Sequence, residues 1–162
     1  MWTLGIVCMM TLIHATDSVT LQDLKNFLNT DEKVWTRYRS FDLGPKEHKL
    51  KCIYADIRRK DHRCYVYAQH YEVQGQWYSQ LFDAEVRQSR SMPPVLRIKS
   101  RDGKSMCEMQ NWDDHVWRNV PSCQMAYQKY CPGRQFPIYT RQCSPPRHQE
   151  FNSKANFTQW LY

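Results

Sequence analysis

Glycine is scarce, with five in 162 residues. Neither G-x-G-x-x-G nor G-K-[ST] occurs, so no phosphate-cradling loop is expected and nucleotide chemistry is set aside. So little glycine also excludes collagen-like and glycine-rich low-complexity architectures. No apolar run reaches about 18 residues, the length a spanning helix needs. There is no C-x-x-C: Cys52 and Cys64 stand twelve apart, and Cys123 and Cys131 eight apart. That spacing is poor for a structural zinc site, so neither metal nor cofactor is expected. The histidines at His48, His62, His70, His115 and His148 are scattered, with no nucleophile motif beside them. A secreted hydrolase such as a basic ribonuclease is therefore disfavoured, and no enzymatic activity is expected.

What is present points to a folded domain. Hydrophobic residues make up 41% and aromatics 14%, with ten Tyr and six Trp, too apolar for a disordered chain. The length allows one domain with a tail. The 23 Lys and Arg exceed the 16 Asp and Glu by seven. These charges are spread along the chain apart from Arg58-Arg59-Lys60. Such a balance steers acidic partners or surface glycans, but no nucleic-acid-binding motif accompanies it.

Residues 1–15 (MWTLGIVCMMTLIHA) contain no Asp, Glu, Lys or Arg. The apolar stretch from Leu4 to Ile13 has the length of a signal-peptide core, and Ala15 is a suitable small residue for cleavage. The alternative is a buried N-terminal helix. Cleavage there removes Cys8 and leaves 147 residues with six cysteines. An even count in a small secreted chain reads as three disulfides, whose 15 connectivities spacing alone does not resolve.

Along the chain, Leu21, Leu24, Phe27 and Leu28 form one helical stripe. Thr20 and Asp23 resemble a capping box, and Asn29 is a stop. Short β-like runs follow at Val34–Phe41, Leu50–Ile57, His62–Val73 and Trp77–Val86. Alternation puts Cys52, Tyr54 and Asp56 on one face. It sets Tyr65, Tyr67, Gln69 and Tyr71 opposite Cys64, Val66, Ala68 and His70. Arg87–Pro94 reads as a loop. Arg101-Asp102-Gly103-Lys104, between Val95–Lys99 and Ser105–Trp112, signals a hairpin. Pro121–Tyr130 reads as a helix with proline in its first turn and Pro132-Gly133 after it. Cys123, Tyr127 and Cys131 then share a side. Gln135–Cys143 is a last extended segment. Residues 144–162 read as a flexible tail carrying the one N-x-[ST] sequon, at Asn156. The expected fold is all-β, an antiparallel barrel over residues 16–143 with a short N-terminal helix and a C-terminal helix packed outside.

Several segments, in order, carry a family likeness: Leu28-Asn29-Thr30, Trp35, Lys51-Cys52, Cys107-Glu108-Met109, Asn119-Val120-Pro121-Ser122-Cys123, and Phe136-Pro137-Ile138-Tyr139 before Cys143. Over roughly residues 18–143 the chain resembles the tick salivary lipocalins, the group that includes the histamine-binding proteins. The resemblance implies an eight-stranded antiparallel barrel, secretion into saliva, and evasion of host defence by sequestering small mediators. These would be histamine or another biogenic amine, or a leukotriene-like lipid; some relatives bind complement proteins instead. It implies the pairings Cys52–Cys143 and Cys107–Cys123, with Cys64–Cys131 remaining. Where the family commonly has Glu-Leu-Trp, this chain has Glu108-Met109-Gln110. The short stretch between Val86 and Val95 suggests a barrel shortened by one or two strands.

Capturing a small cation requires ionised carboxylates beside aromatic faces, because an unpartnered buried ammonium costs several kcal/mol. Glu108, at the family motif, and Asp56, near Tyr54, are the candidate carboxylates. Trp35, Tyr38, Tyr54, Tyr65 and Tyr67 are the candidate aromatics. The competing readings are a solvated Glu108, an Asp56 paired with Arg58 or Arg59, and a tyrosine stripe that is simply core. An acidic lipid would call instead on Arg37, Arg39, Arg97 or Lys99, for which a solvated outer face is favoured. The expected partner is a small host mediator held by a monomer. The alternative is a salivary inhibitor of complement or another host protein, with a degenerate pocket.

Overall fold

A computed structural model of the chain describes residues 2–7, 19–42, 50–90, 92–99, 107–131 and 133–145. Helix α1, Leu21–Leu28, begins where the sequence places it. The Thr20 hydroxyl accepts from the Asp23 amide at 3.2 Å, and the Asp23 carboxylate accepts from the Thr20 amide at 2.9 Å. This reciprocal cap satisfies N–H groups that a helix start leaves unpaired. The stripe of Leu24, Phe27 and Leu28 is buried.

The remaining chain is mostly strand. The strands are β1 Trp2–Val7, β2 Val34–Arg39, β3 Lys51–Arg59, β4 Cys64–Val73, β5 Gln76–Ser89, β6 Met92–Lys99, β7 Cys107–Trp112 and β8 Phe136–Pro137. They form one sheet in the order β3-β4-β5-β6-β1-β7-β2-β8, and β2 pairs again with β3 through Val34↔Ala55 and Trp35↔Tyr54. The sheet therefore curls until its first strand meets its seventh, giving a barrel-like, mostly antiparallel fold. Helix α2, Pro121–Tyr130, opens on its proline and buries Cys123 and Tyr127, with Cys131 buried just beyond it. The β4–β5 turn is tight: Gln74 (φ 52°) and Gly75 (φ 80°) both take left-handed backbone, the conformation two-residue hairpins favour.

Three expectations need correction. Arg87–Pro94 is not a long loop. β5 runs to Ser89 and β6 starts at Met92, with Pro93 and Pro94 inside it. β6 and β7 are not hairpin neighbours either. β1 lies between them, antiparallel to β6 (Leu4↔Arg97) and parallel to β7 (Leu4↔Cys107). Residues 2–7, within the stretch read as a leader core, supply this strand. The Arg101–Lys104 turn, the rest of the leader and the tail from residue 146, with Asn156, lie outside the described residues.

The third correction concerns cysteine pairing. Cys52–Cys143 forms as the resemblance implies, with Cα atoms 5.1 Å apart. Cys107, however, bonds Cys131 rather than Cys123. The end of α2, not its start, lies over the first residue of β7, where the Cys107 sulfur also lies 3.8 Å from the Tyr130 carbonyl oxygen. Cys123 is likewise disulfide-bonded. Cys64 is a free thiol at the start of β4, so a Cys64–Cys131 bridge is absent. These disulfides suit an oxidising, extracellular-type environment. No helix of the described residues is long and apolar enough to cross a membrane.

The loops closed by the two bridges differ in length, 91 against 24 residues of separation. On the chain-entropy model, Cys52→Ala with Cys143→Ala should cost about 4–5 kcal/mol and Cys107→Ala with Cys131→Ala about 3 kcal/mol, measured by urea unfolding. Mass mapping without reduction should find the 107–131 linkage, with an alkylating reagent on Cys64. A chain beginning at Thr16 lacks β1, and its amides in Val95–Lys99 and Cys107–Trp112 should exchange with solvent faster than those of the full chain.

Candidate functional site

Cross-strand partners in a sheet point to the same side, so the register sorts the candidate residues. One face carries Thr36, Arg39, Glu108 and Gln110 through the pairs Thr36↔Gln110 and Arg39↔Glu108. Tyr67 joins it through the Gln110 contact, with Ile57 and Phe82 as its strand partners. This face holds the largest core cluster: Leu24, Phe27 and Leu28 of α1 against Val34, Ala55, Ile57, Tyr65, Tyr67, Val86, Leu96 and Ile98. Helix α1 seals one end of this interior. Phe27 stacks on Trp112 at 5.0 Å, and the Trp112 indole donates to the Phe27 carbonyl at 3.2 Å.

Farther along the same face stands a buried polar cluster. Arg39 Nη2 lies 2.6 Å from Glu108 Oε1, and each side chain is 3% exposed. Glu108 Oε2 accepts from Thr36 Oγ1 and from Gln110 Nε2, both at 3.1 Å. Gln110 Nε2 also donates to the Tyr67 hydroxyl. Burial, and then the Glu108 charge, push the Tyr67 phenol far above its ordinary range, so it stays a neutral hydroxyl. The same two causes act on Tyr127. Some hydrogen-bonding capacity is left over. Arg39 Nε, Gln110 Oε1 and Gln80 Oε1 are buried without a partner among the described residues. Gln80 belongs to this interior through its pairing with Gln69, two residues from Tyr67.

The opposite face gathers different residues. Trp35 pairs with Tyr54, and their rings sit 5.0 Å apart. Tyr139 packs on Trp35 at 4.7 Å, and the Trp35 indole donates to Asp113. Tyr54 stacks on His70 at 4.6 Å, and His70 Nε2 lies 3.0 Å from Asp56 Oδ2. Tyr38 turns toward α2 and lies 6.5 Å from Tyr127.

The structure therefore does not bring the seven sequence-selected residues together. Glu108, Tyr65 and Tyr67 share the interior. Trp35, Tyr54 and Asp56 form an aromatic and ionic layer on the other side, and Tyr38 supports the helix. Asp56 pairs with a histidine rather than with Arg58 or Arg59, because Tyr54↔His70 and Asp56↔Ala68 set His70 beside it. Glu108 is not solvated. Arg39, expected on a solvated outer face, is its buried partner. Between Thr36 and Tyr38 the register shifts, and this irregularity turns Arg39 inward. Gln110, Gln80 and Thr36 went unselected. Alternation from Glu108 would have found Gln110, but nothing in the sequence pairs Arg39 with Glu108.

Removing one member of this buried pair strands the other charge. Arg39→Ala and Glu108→Ala should each lower stability by about 3–5 kcal/mol. The double change Arg39→Met with Glu108→Leu should recover most of that loss. Urea unfolding of the three variants measures it, and additive losses in the double variant would show that the pair is not coupled.

Comparison with known protein families, curated proteins and solved structures finds no match to this chain.

Proposed function

We propose that the chain is a secreted, lipocalin-like binding protein that sequesters a small host mediator in the interior of its curled sheet. The observation that carries this reading is the polar cluster of Arg39, Glu108, Thr36 and Gln110, with Gln80 nearby, set into a largely apolar interior. Small-molecule sites are largely apolar with a few placed polar groups, and this face has that composition.

The same geometry separates the two ligand classes. Glu108 already holds one cation and two further donors, so it offers no free carboxylate to a ligand ammonium. A biogenic amine would have to displace Arg39 and leave it buried and unpaired, at a cost of several kcal/mol. What remains uncommitted is two amide oxygens and one guanidinium N–H. Those groups suit the hydroxyls of an apolar molecule. The favoured ligand is accordingly a hydroxylated, leukotriene-like lipid rather than histamine.

A second reading, a protein-binding inhibitor of host defence, is favoured by one observation. The α1 side chains fill their end of the interior, while Leu81, Met125 and Trp117 are exposed.

Titration of the refolded protein followed by tryptophan fluorescence distinguishes these readings. A leukotriene should bind saturably at one site and histamine should not. Gln110→Leu should weaken lipid binding at least tenfold, about 1.4 kcal/mol. Tighter binding of histamine than of the lipid would overturn the ligand assignment. Binding of neither, with selective retention of a plasma protein, would favour the inhibitor.

A further inference from the structure

The turn joining β3 to β4 concentrates positive charge. Arg58, Arg59, Lys60 and Arg63 are all exposed, against one carboxylate in the same six residues, Asp61. That carboxylate faces its own backbone. Asp61 Oδ1 accepts from the amides of Arg63 and Cys64, each at 2.8 Å, and these bonds hold Asp61 down at about 2. Further bonds fix the turn: Lys60 N to Cys64 O at 2.9 Å, Asp61 N to Cys64 O at 3.1 Å and Arg59 Nε to Asp61 O at 2.9 Å. The neighbouring strand is anchored by Val86 N to Arg63 O at 2.9 Å. The cations thus project from a rigid frame, which lowers the entropy lost when they bind. His62 lies 3.9 Å from Asp61, and Lys60 has only a loose, exposed contact with Asp83 at 4.0 Å.

Beside this turn lies a groove of about 290 Å³. Arg58 and Arg59 form one wall, and Leu28, Asn29 and Asp31, at the end of α1, form the other. It sits at the α1 end of the sheet, away from Glu108. Arginine-rich surfaces bind planar, multi-oxygen anions through paired N–H donors. The turn exposes no Trp, Tyr or Phe for base stacking, which single-stranded nucleic acid binding uses; its one ring is the His62 imidazole. The disulfides place the chain among extracellular polyanions rather than intracellular ones.

We propose that the β3–β4 turn, with its adjoining groove, is a binding site for sulfated glycosaminoglycan. Sulfates engage Arg58, Arg59, Lys60 and Arg63, and one sugar unit lies in the groove. The site is independent of the small-ligand interior and stands whether or not that interior is occupied. It would hold a secreted chain at the cell surface where mediators are released.

The test is salt elution of the full chain from immobilised heparin. Four exposed cations far along the fold, Lys51, Arg118, Lys129 and Arg134, provide a charge-matched control. The unaltered protein should be retained above 0.15 M salt, the ionic strength at which exposed charges are screened beyond about 8 Å. Arg58→Ala, Arg59→Ala, Lys60→Ala and Arg63→Ala combined should weaken heparin binding at least tenfold. The four control substitutions to alanine should leave it within about twofold, near the scatter of surface electrostatic effects. Far-ultraviolet dichroism of both variants checks that they are folded, and if the turn variant is not, the single change Arg63→Ala should still weaken binding. Equal weakening by both sets would overturn the proposal in favour of net charge alone. Tighter binding to single-stranded DNA or to anionic vesicles than to heparin would overturn the choice of partner.

Discussion

Arg39 and Glu108 face one another across the β2–β7 ladder, each 3% exposed and 2.6 Å apart. A buried pair is costly to form and still more costly to break, so it tolerates few alternative arrangements of the strands that carry it. Shifting β2 by one residue along β7 would turn Arg39 to the other face and leave Glu108 alone in the interior. The pair therefore selects one register, whatever it contributes to net stability. Thr36 and Gln110 tighten the selection, because both donate to the second Glu108 oxygen.

That register decides the rest of the curled sheet. With Arg39 opposite Glu108, Trp35 stands opposite Asn111 and Val34 opposite Trp112. Trp112 is then placed to stack on Phe27 and to bond its carbonyl, which fixes α1 across the apolar end. On the reverse face the same placement sets Trp35 among Tyr54 and Tyr139. Tyr139 belongs to the segment that Cys143 ties to Cys52. One polar pair inside, one aromatic layer outside and two cystines thus hold β2, the strand that meets β7, β8 and β3.

The local elements were legible because their signals are local. Thr20 and Asp23 announce α1 within four residues, Pro121 announces α2, and Gln74-Gly75 marks the β4–β5 turn. Alternation in Tyr65–Tyr71 assigned the two sides of β4 correctly. The failures share a cause: each needed a partner distant in sequence. The strand at Trp2–Val7 had no local sign, since a short continuous apolar run has no diagnostic period. Trp2–Val7 takes the strand position because β6 and β7 offer edges on both sides. For the same reason the Asp102-Gly103 signal, a good local sign of a hairpin, does not make β6 and β7 neighbours. Cys123 and Cys131 share a helix side as the four-residue spacing requires, yet which of them meets Cys107 depends on where α2 lies over β7.

The candidate site divides along the same line. The family motif singled out Glu108, and the strand runs singled out Tyr65 and Tyr67, which are interior, but the same selection collected Trp35, Tyr54 and Asp56, which are not. A strand alternation cannot say which of its two faces is enclosed, and both faces here are rich in aromatics. The difference that matters chemically is how each carboxylate is neutralised. Asp56 is partly exposed and paired with a histidine, on a layer already filled by rings. Glu108 is enclosed and paired with arginine, so its negative charge is cancelled before any ligand arrives. On the proposed binding reading, an interior whose described charges cancel, but which holds unpaired amide oxygens, would discriminate by hydrogen bonding and shape rather than by charge. On the same reading, charge recognition would be left to the outside of the molecule, where the cations of Arg58, Arg59, Lys60 and Arg63 are exposed to water.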